Sequence, residues 1–258
     1  GDDRLFQNWT QAVEAWKSRG GLQGDLVNEA NGELSKYFEK GEPIGVGLFN
    51  GLPLRQPNTI VKFSRKEFLE PMLTKGLVRL APASFYSQGS LLKSMKDLEL
   101  ERQFRIPAFN EALSGQTHLD FHGANLPIQG GAISVVIKGQ DYFLLSTCLE
   151  FDRRMPTDFG ADAALIVRDE RRFVAQFKKS FKAVFGQSYV EASRVHYYDP
   201  FRLPTQRFLK RREFLKHFAY AYQKEHRIVA RPITGAIPKE PLFLEIGSLE
   251  DYCEIVST

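Results

Sequence analysis

The sequence predicts an α+β fold: a mixed, largely antiparallel sheet with flanking helices, preceded by an N-terminal helical segment. Three observations carry this expectation. Short strand-like runs recur from Thr59 to the end of the chain. Amphipathic helical stretches separate some of them, without the strict strand–helix–strand alternation of a parallel doubly wound sheet. The opening residues follow a three- and four-residue rhythm instead. The predicted organisation is a helical segment over 1–44 and a single α+β domain over 45–258.

In the helical segment, Leu5, Phe6, Trp9, Ala12, Val13 and Trp16 form one apolar stripe closed by Gly20-Gly21. A weaker pattern runs from Leu26 to Phe38. Pro43 to Gly51 reads as a strand ending in a turn. Thr59 to Ser64 is strand-like, and Ser64 with Glu67 suggests a capping box for a helix over Arg65 to Thr74, stopped by Gly76. Leu77 to Leu80 is a short strand. Ser90 to Phe104 reads as a charged amphipathic helix, and Arg105 to Gly131 as a long irregular excursion. Ile133 to Ile137 and Tyr142 to Leu149 are predicted to form a hairpin around Gly139. Ala163 to Val167 is a continuous apolar run, hence a buried strand. Asp169 caps the following helix, which reaches Phe185 and ends at Gly186. Tyr189 to Tyr198 alternates as a strand. A basic helix is predicted from the prolines Pro200 and Pro204 to about Ala221, with late strands at Ile228 to Ala230 and Leu242 to Ile246. Leu249 to Val256 closes the chain.

Composition bounds the function classes. A chain of 258 residues can bury one substantial core, and 43% hydrophobic with 26% charged residues is ordinary for a soluble globular protein. No apolar run approaches the roughly 20 residues a bilayer span needs, and no signal-peptide pattern is present. Cys148 and Cys253 are too few for a disulfide framework, which points to a reducing, cytoplasmic setting. The net charge of +4 is unevenly spread. Arg171, Arg172, Lys178, Lys179 and Lys182 share one predicted helix; Arg202, Arg207, Lys210, Arg211, Arg212 and Lys216 crowd the next. Such groups suit an anionic partner, nucleic acid or a pyrophosphate, or serve as solvated helix faces.

No phosphate-binding P-loop, dinucleotide-binding glycine fingerprint, cysteine zinc pattern or nucleophile elbow is found in the sequence. His118-x-Asp120-x-His122 has a metal-like spacing on a strand but lacks a fourth ligand, and no metal site is expected. Cys148 sits in an apolar run and reads as a structural thiol. Ser146-Thr147 places two hydroxyls late on a strand. The densest set of functional groups is Tyr222-Gln223-Lys224-Glu225-His226-Arg227. If a strand starts here, Gln223 and Glu225 share a face and could recognise a hydroxylated ligand or stabilise developing positive charge. The alternative is a solvent-facing strand start with an Arg227 ion pair.

Several stretches together resemble a large family of uncharacterised bacterial domains. They are Thr59 to Ser64, Leu77 to Ser87, the acidic Asp97 to Glu101, Leu145 to Leu149, Ala161 to Val167, and Tyr222 to Arg227. The resemblance covers about residues 59–232 and is dispersed. That family is in turn similar to ADP-ribosyltransferases. One branch of that superfamily uses an arginine on an early strand, a Ser-Thr-Ser strand, and Gln/Glu-x-Glu at a later strand start. Ser146-Thr147-Cys148 and Gln223-Lys224-Glu225 fit the last two, while Lys62 stands on the early strand and Arg79 on the next.

The resemblance implies NAD as substrate and ADP-ribose transfer to a protein or nucleic-acid acceptor. Glu225 would hydrogen-bond the nicotinamide ribose and stabilise an oxocarbenium-like state. Gln223 would orient the attacking group. Ser146 and Thr147 would support Glu225 and the ribose, Lys62 or Arg79 would meet the pyrophosphate, and Tyr222 or Phe63 would stack on nicotinamide. The alternative is a non-catalytic module of the same fold that recognises an anionic nucleotide or nucleic acid. A third is an interaction protein docking through the Trp9/Trp16 stripe.

Overall fold

Eight of the strands in the computed structural model gather into one sheet whose named pairings are all antiparallel. The structure describes residues 48–49, 51–52, 55–87, 98–121, 123–202 and 205–257. The expected N-terminal helices with Trp9 and Trp16, most of the strand expected over Pro43 to Gly51, residues 90–97 and His122 lie outside the described residues. The mixed, mostly antiparallel α+β character predicted from the sequence is what the chain adopts.

The first strand, β1 (Ile60–Ser64), leads into α1 (Lys66–Lys75) and β2 (Leu77–Pro82). Ser64 does not cap α1, because it is still paired with Ala163 in the sheet. Arg65 takes the cap position without a side-chain bond. Asp162 accepts from the Lys66 amide instead, at 2.7 Å, and Glu67 pairs with Arg65. Gly76 ends α1 with φ of 67°. A Cβ there would lie 2.0 Å from the Gly247 carbonyl oxygen, so the turn requires glycine twice over.

Where a charged helix is expected to run to Phe104, the described residues from Glu101 on form a strand. This strand, β3 (Glu101–Pro107), pairs with β6 (Ala132–Lys138) in a two-stranded ribbon, Glu101 opposite Lys138 and Pro107 opposite Ala132. Between them lie α2 (Phe109–Leu113) and a small hairpin of β4 (His118–Phe121) and β5 (Ala124–Pro127). β6 pairs with β3 and forms no hairpin with β7 (Phe143–Cys148), which joins the main sheet.

After α3 (Met155–Phe159) and β8 (Ala163–Val167), α4 (Glu170–Phe185) is capped by Asp169, which accepts from the Arg172 amide at 3.0 Å. Next come β9 (Ser188–Arg194) and β10 (His196–Tyr198). The basic helix expected up to Ala221 is absent from the described residues. The segment breaks into α5 (Gln206–Leu209), a 3-10 turn (Arg212–Phe214), β11 (Leu215–His217) and a second 3-10 turn (Phe218–Gln223). The reason is that Phe214, Leu215 and Lys216 are all buried, and β11 pairs in parallel with β10. Three consecutive buried side chains fit an extended segment better than one helix face. β12 (Glu225–Pro232), β13 (Leu242–Glu245) and β14 (Cys253–Ser257) complete the sheet.

The sheet forks at β7. On one edge β12 pairs with all of it, from Glu225 opposite Cys148 to Ala230 opposite Phe143. The other edge is shared: β2 takes Leu144 and Phe143, and β1 takes Cys148. Residues 145–147 face the gap between the two arms. One face of the sheet is sealed by Phe173, Phe177 and Phe181 of α4 and Leu69 and Met72 of α1, packed on Ile60, Phe143, Leu145, Leu165, Ile228 and Ala230. Full burial of each phenylalanine contributes about 1.5–3 kcal/mol. The opposite face carries two smaller apolar clusters, one around Val61, Phe63, Cys148 and Phe151, the other around Tyr142, Leu144, Phe214 and Val229.

Candidate functional site

Between those two clusters, the side chains alternating with Leu145 and Ile228 are Ser146, Glu225 and Arg227. β12 runs between β7 and β9 and is covered on both faces from Glu225 to Ala230: Glu225 is 2% exposed and Arg227 0%. Residues two apart on a strand share a face, and Arg227 Nε donates to Glu225 Oε1 at 2.7 Å while Nη2 reaches Oε2 at 3.2 Å. The other side of the guanidinium grips Glu99, Nη2 to Oε1 at 2.7 Å and Nη1 to Oε2 at 2.8 Å, and Nη1 also donates to the Glu213 carbonyl at 2.8 Å. All five donors of Arg227 are therefore used.

Glu225 is equally saturated. Oε1 accepts from Ser146 Oγ at 2.7 Å as well as from Arg227, and Oε2 accepts from Lys216 Nζ at 2.8 Å. Lys216 also donates to Gln223 Oε1 at 2.9 Å and lies 4.8 Å from the Tyr220 ring centroid. Gln223 and Glu225 are thus brought together, but not as neighbours on one strand face. Gln223 ends a 3-10 turn, Lys224 adopts a left-handed φ of 43°, and Lys216 bridges the two side chains. Arg102, buried beside Glu99, donates to Glu99 Oε2 at 3.2 Å and to the Leu215 carbonyl at 2.7 Å. Arg102, Lys216 and Arg227 against Glu99 and Glu225 leave this network with an excess of positive charge.

Burial by itself would raise the Glu225 carboxyl, but Arg227 and Lys216 outweigh it and hold the group well below the usual carboxylate range. Glu99 is lowered for the same reason, burial being overcome by Arg227 and Arg102. The Arg227 guanidinium is driven further into its charged form: the burial penalty is outweighed by Glu225 and Glu99. Burial pushes the Cys148 thiol up to about 12, in keeping with a structural cysteine.

Lys62 enters from the fork. It is half-buried on β1, and its Nζ donates to the Ser146 carbonyl at 2.9 Å, on the stretch of β7 that neither arm pairs. Burial pulls its ammonium below the ordinary lysine value, with Cys148 and Glu225 opposing. Ser146, Glu225 and Gln223 are therefore tied together through the Ser146–Glu225 bond and Lys216, while Lys62 reaches the same serine at its backbone carbonyl. Thr147 does not join them: it faces the α4 side, where its Oγ1 donates to the His226 carbonyl at 3.0 Å. Arg79 stands exposed on β2 with its guanidinium 5.0 Å from the Phe85 ring centroid. Tyr222 packs against the Val61 cluster under Arg154, 4.2 Å from its ring centroid, and its hydroxyl accepts from Gln223 Nε2 at 3.4 Å.

His118 and Asp120 lie on the exposed β4–β5 hairpin, bonded to Thr117 and the Gly123 amide. Among the described residues no group of three His, Cys, Asp or Glu side chains is arranged to hold a metal ion. No helix among them is long and apolar enough to cross a membrane.

Sequence reasoning missed Glu99, Arg102 and Lys216. The available signal was Ile228-Val229-Ala230: an apolar run marks a central strand, so charges on the same strand are buried and need partners. That argument demands a carboxylate for Arg227 from elsewhere in the chain without saying which. Comparison with family models, with curated proteins and with solved structures finds no match to this chain.

Proposed function

We propose that the fork of the sheet is an ADP-ribosyltransferase-like site that takes NAD and passes ADP-ribose to a macromolecular acceptor. The observation that carries this reading is the Ser146 Oγ–Glu225 Oε1 hydrogen bond, 2.7 Å, with the Lys62 ammonium on the carbonyl of the same serine. A hydroxyl on one central strand fixes a charged carboxylate on the next, beside a cation on the early strand. In the reaction the bond between the ribose C1′ and the nicotinamide nitrogen breaks, and its electron pair leaves with nicotinamide. An oxocarbenium-like ribose forms, the acceptor's nucleophilic atom bonds to C1′, and its proton is released to solvent. A carboxylate held ionised favours that positive charge, and Lys62 with Arg79 suits the pyrophosphate. Glu225 already accepts four hydrogen bonds, so a ribose hydroxyl must displace one donor. Lys216 is that donor, since it reaches Glu225 from β11, outside the main sheet.

The saturation of Glu225 favours a second reading, in which the same fork binds an anionic nucleotide without chemistry. Nicotinamide release from NAD by the purified protein separates them. The catalytic reading expects release that falls at least about 100-fold in Glu225→Gln and in Lys62→Met. A thermal shift with NAD but no release supports the binding module, and neither release nor shift overturns both.

A further inference from the structure

We propose that the outer face of α4 is a docking surface for the phosphate backbone of a nucleic acid. The helix turns Phe173, Phe177 and Phe181 into the core. At 3.6 residues per turn, Arg171, Lys178 and Lys182 fall within about 40° of one another on the opposite side, with Arg172 and Lys179 flanking them. All five are exposed. The one carboxylate of the helix, Glu170, is turned towards His226, 3.0 Å from its Nε2. Asp251 neutralises Arg172 at 2.7 Å. Among the described residues Arg171, Lys178, Lys179 and Lys182 form no salt bridge to a carboxylate, and Arg171 feels its neighbour Glu170 only through space.

An exposed helix face ordinarily interleaves acids and bases four residues apart, and like charges at that spacing are destabilising. Lys178 and Lys182 stand at that spacing with no acid between them or beside them on the face. The stripe from Arg171 to Lys182 is about 16 Å long, the length of about five phosphates along one strand of a duplex. A membrane surface is a poorer fit. Interfacial helices insert an apolar face below the basic one, and here that face is already packed on the sheet. The face offers phosphate-binding charge without a constellation of amides for reading bases, so binding independent of sequence is expected. This surface lies across the sheet from Glu225, and the inference stands whether or not NAD is a substrate.

The test is fluorescence anisotropy of a labelled mixed-sequence DNA duplex of about 20 base pairs, titrated with the full chain between about 50 and 200 mM salt. Binding is expected, with a log–log salt slope of about −3 to −4 for three or four neutralised phosphates. Arg171→Glu/Lys178→Glu/Lys182→Glu should weaken binding at least about tenfold and flatten the slope by about 3, with an unchanged melting temperature. Should that variant fail to fold, Lys178→Gln/Lys182→Gln should still lower the slope by about 2. A control with the same change in net charge, Arg202→Glu/Arg207→Glu/Lys210→Glu, should bind within about twofold of the parent. Absence of binding at the lowest salt overturns the proposal. So does an equal loss in both triple variants, or binding to phosphatidylserine vesicles in preference to the duplex.

Discussion

The two faces of the β7–β12 pair are made by the same residues' alternation and are closed in opposite ways. On the α4 side Leu145, Ile228 and Ala230 meet phenylalanines and methionine. On the other, Ser146, Glu225 and Arg227 meet Lys216 and Glu99. The first face is closed by burial of apolar surface, which is favourable without further condition. The second removes five charges from water, and that is tolerated only while every donor and acceptor stays matched. A fold needs only the first kind of surface. A matched ionic face beside a gap in the sheet is the arrangement a ligand can exploit, by exchanging its own groups for one of the partners.

The difference can be broken most severely at Arg227. Arg227→Met leaves Glu99 and Glu225 buried without their shared cation and is expected to cost about 3–5 kcal/mol in urea unfolding. Phe177→Ala on the opposite face is expected to cost about 3–4 kcal/mol through the cavity it leaves, but to leave NAD-dependent behaviour intact. Equal loss of ligand response in both variants would remove the distinction between the faces.

Acid should weaken the ionic face selectively. Both carboxyls are lowered in the folded chain, so their stabilisation is present above their unfolded value, about 4.3, and is lost as pH falls below it towards the folded values. Between about pH 5 and 3 the parent should lose stability more steeply than Glu225→Gln, and parallel curves would contradict that origin. The smallest expected effect is Ser146→Ala, about 1 kcal/mol for one hydrogen bond. That loss should be accompanied by a disproportionate fall in NAD response if the serine positions Glu225.

Much of the α4 face was legible in advance because its signals are local. The spacing of Phe173, Phe177 and Phe181, the Asp169 cap and the run Ala163 to Val167 each lie within one element. The ionic face was legible only in part. Motif resemblance points to Ser146, Glu225, Gln223 and Lys62 but also to Thr147, which as Ser146's neighbour on a strand faces the other way. Lys216 was misplaced for a physical reason: Arg211, Arg212 and Lys216 look like a solvated helix face until Phe214 and Leu215 are buried beside them. Glu99 sits 128 residues from Arg227, and no local pattern connects the two.

The most direct test of the fork as a ligand site is the melting temperature of the parent and of Lys62→Met with saturating NAD and, separately, ADP-ribose. Lys62 makes one backbone hydrogen bond at the gap, so its loss should cost only about 1 kcal/mol in the free protein. The account predicts that both ligands raise the parent's melting temperature and that Lys62→Met loses most of the rise. No shift with either ligand, or a shift that survives intact in Lys62→Met, would contradict it.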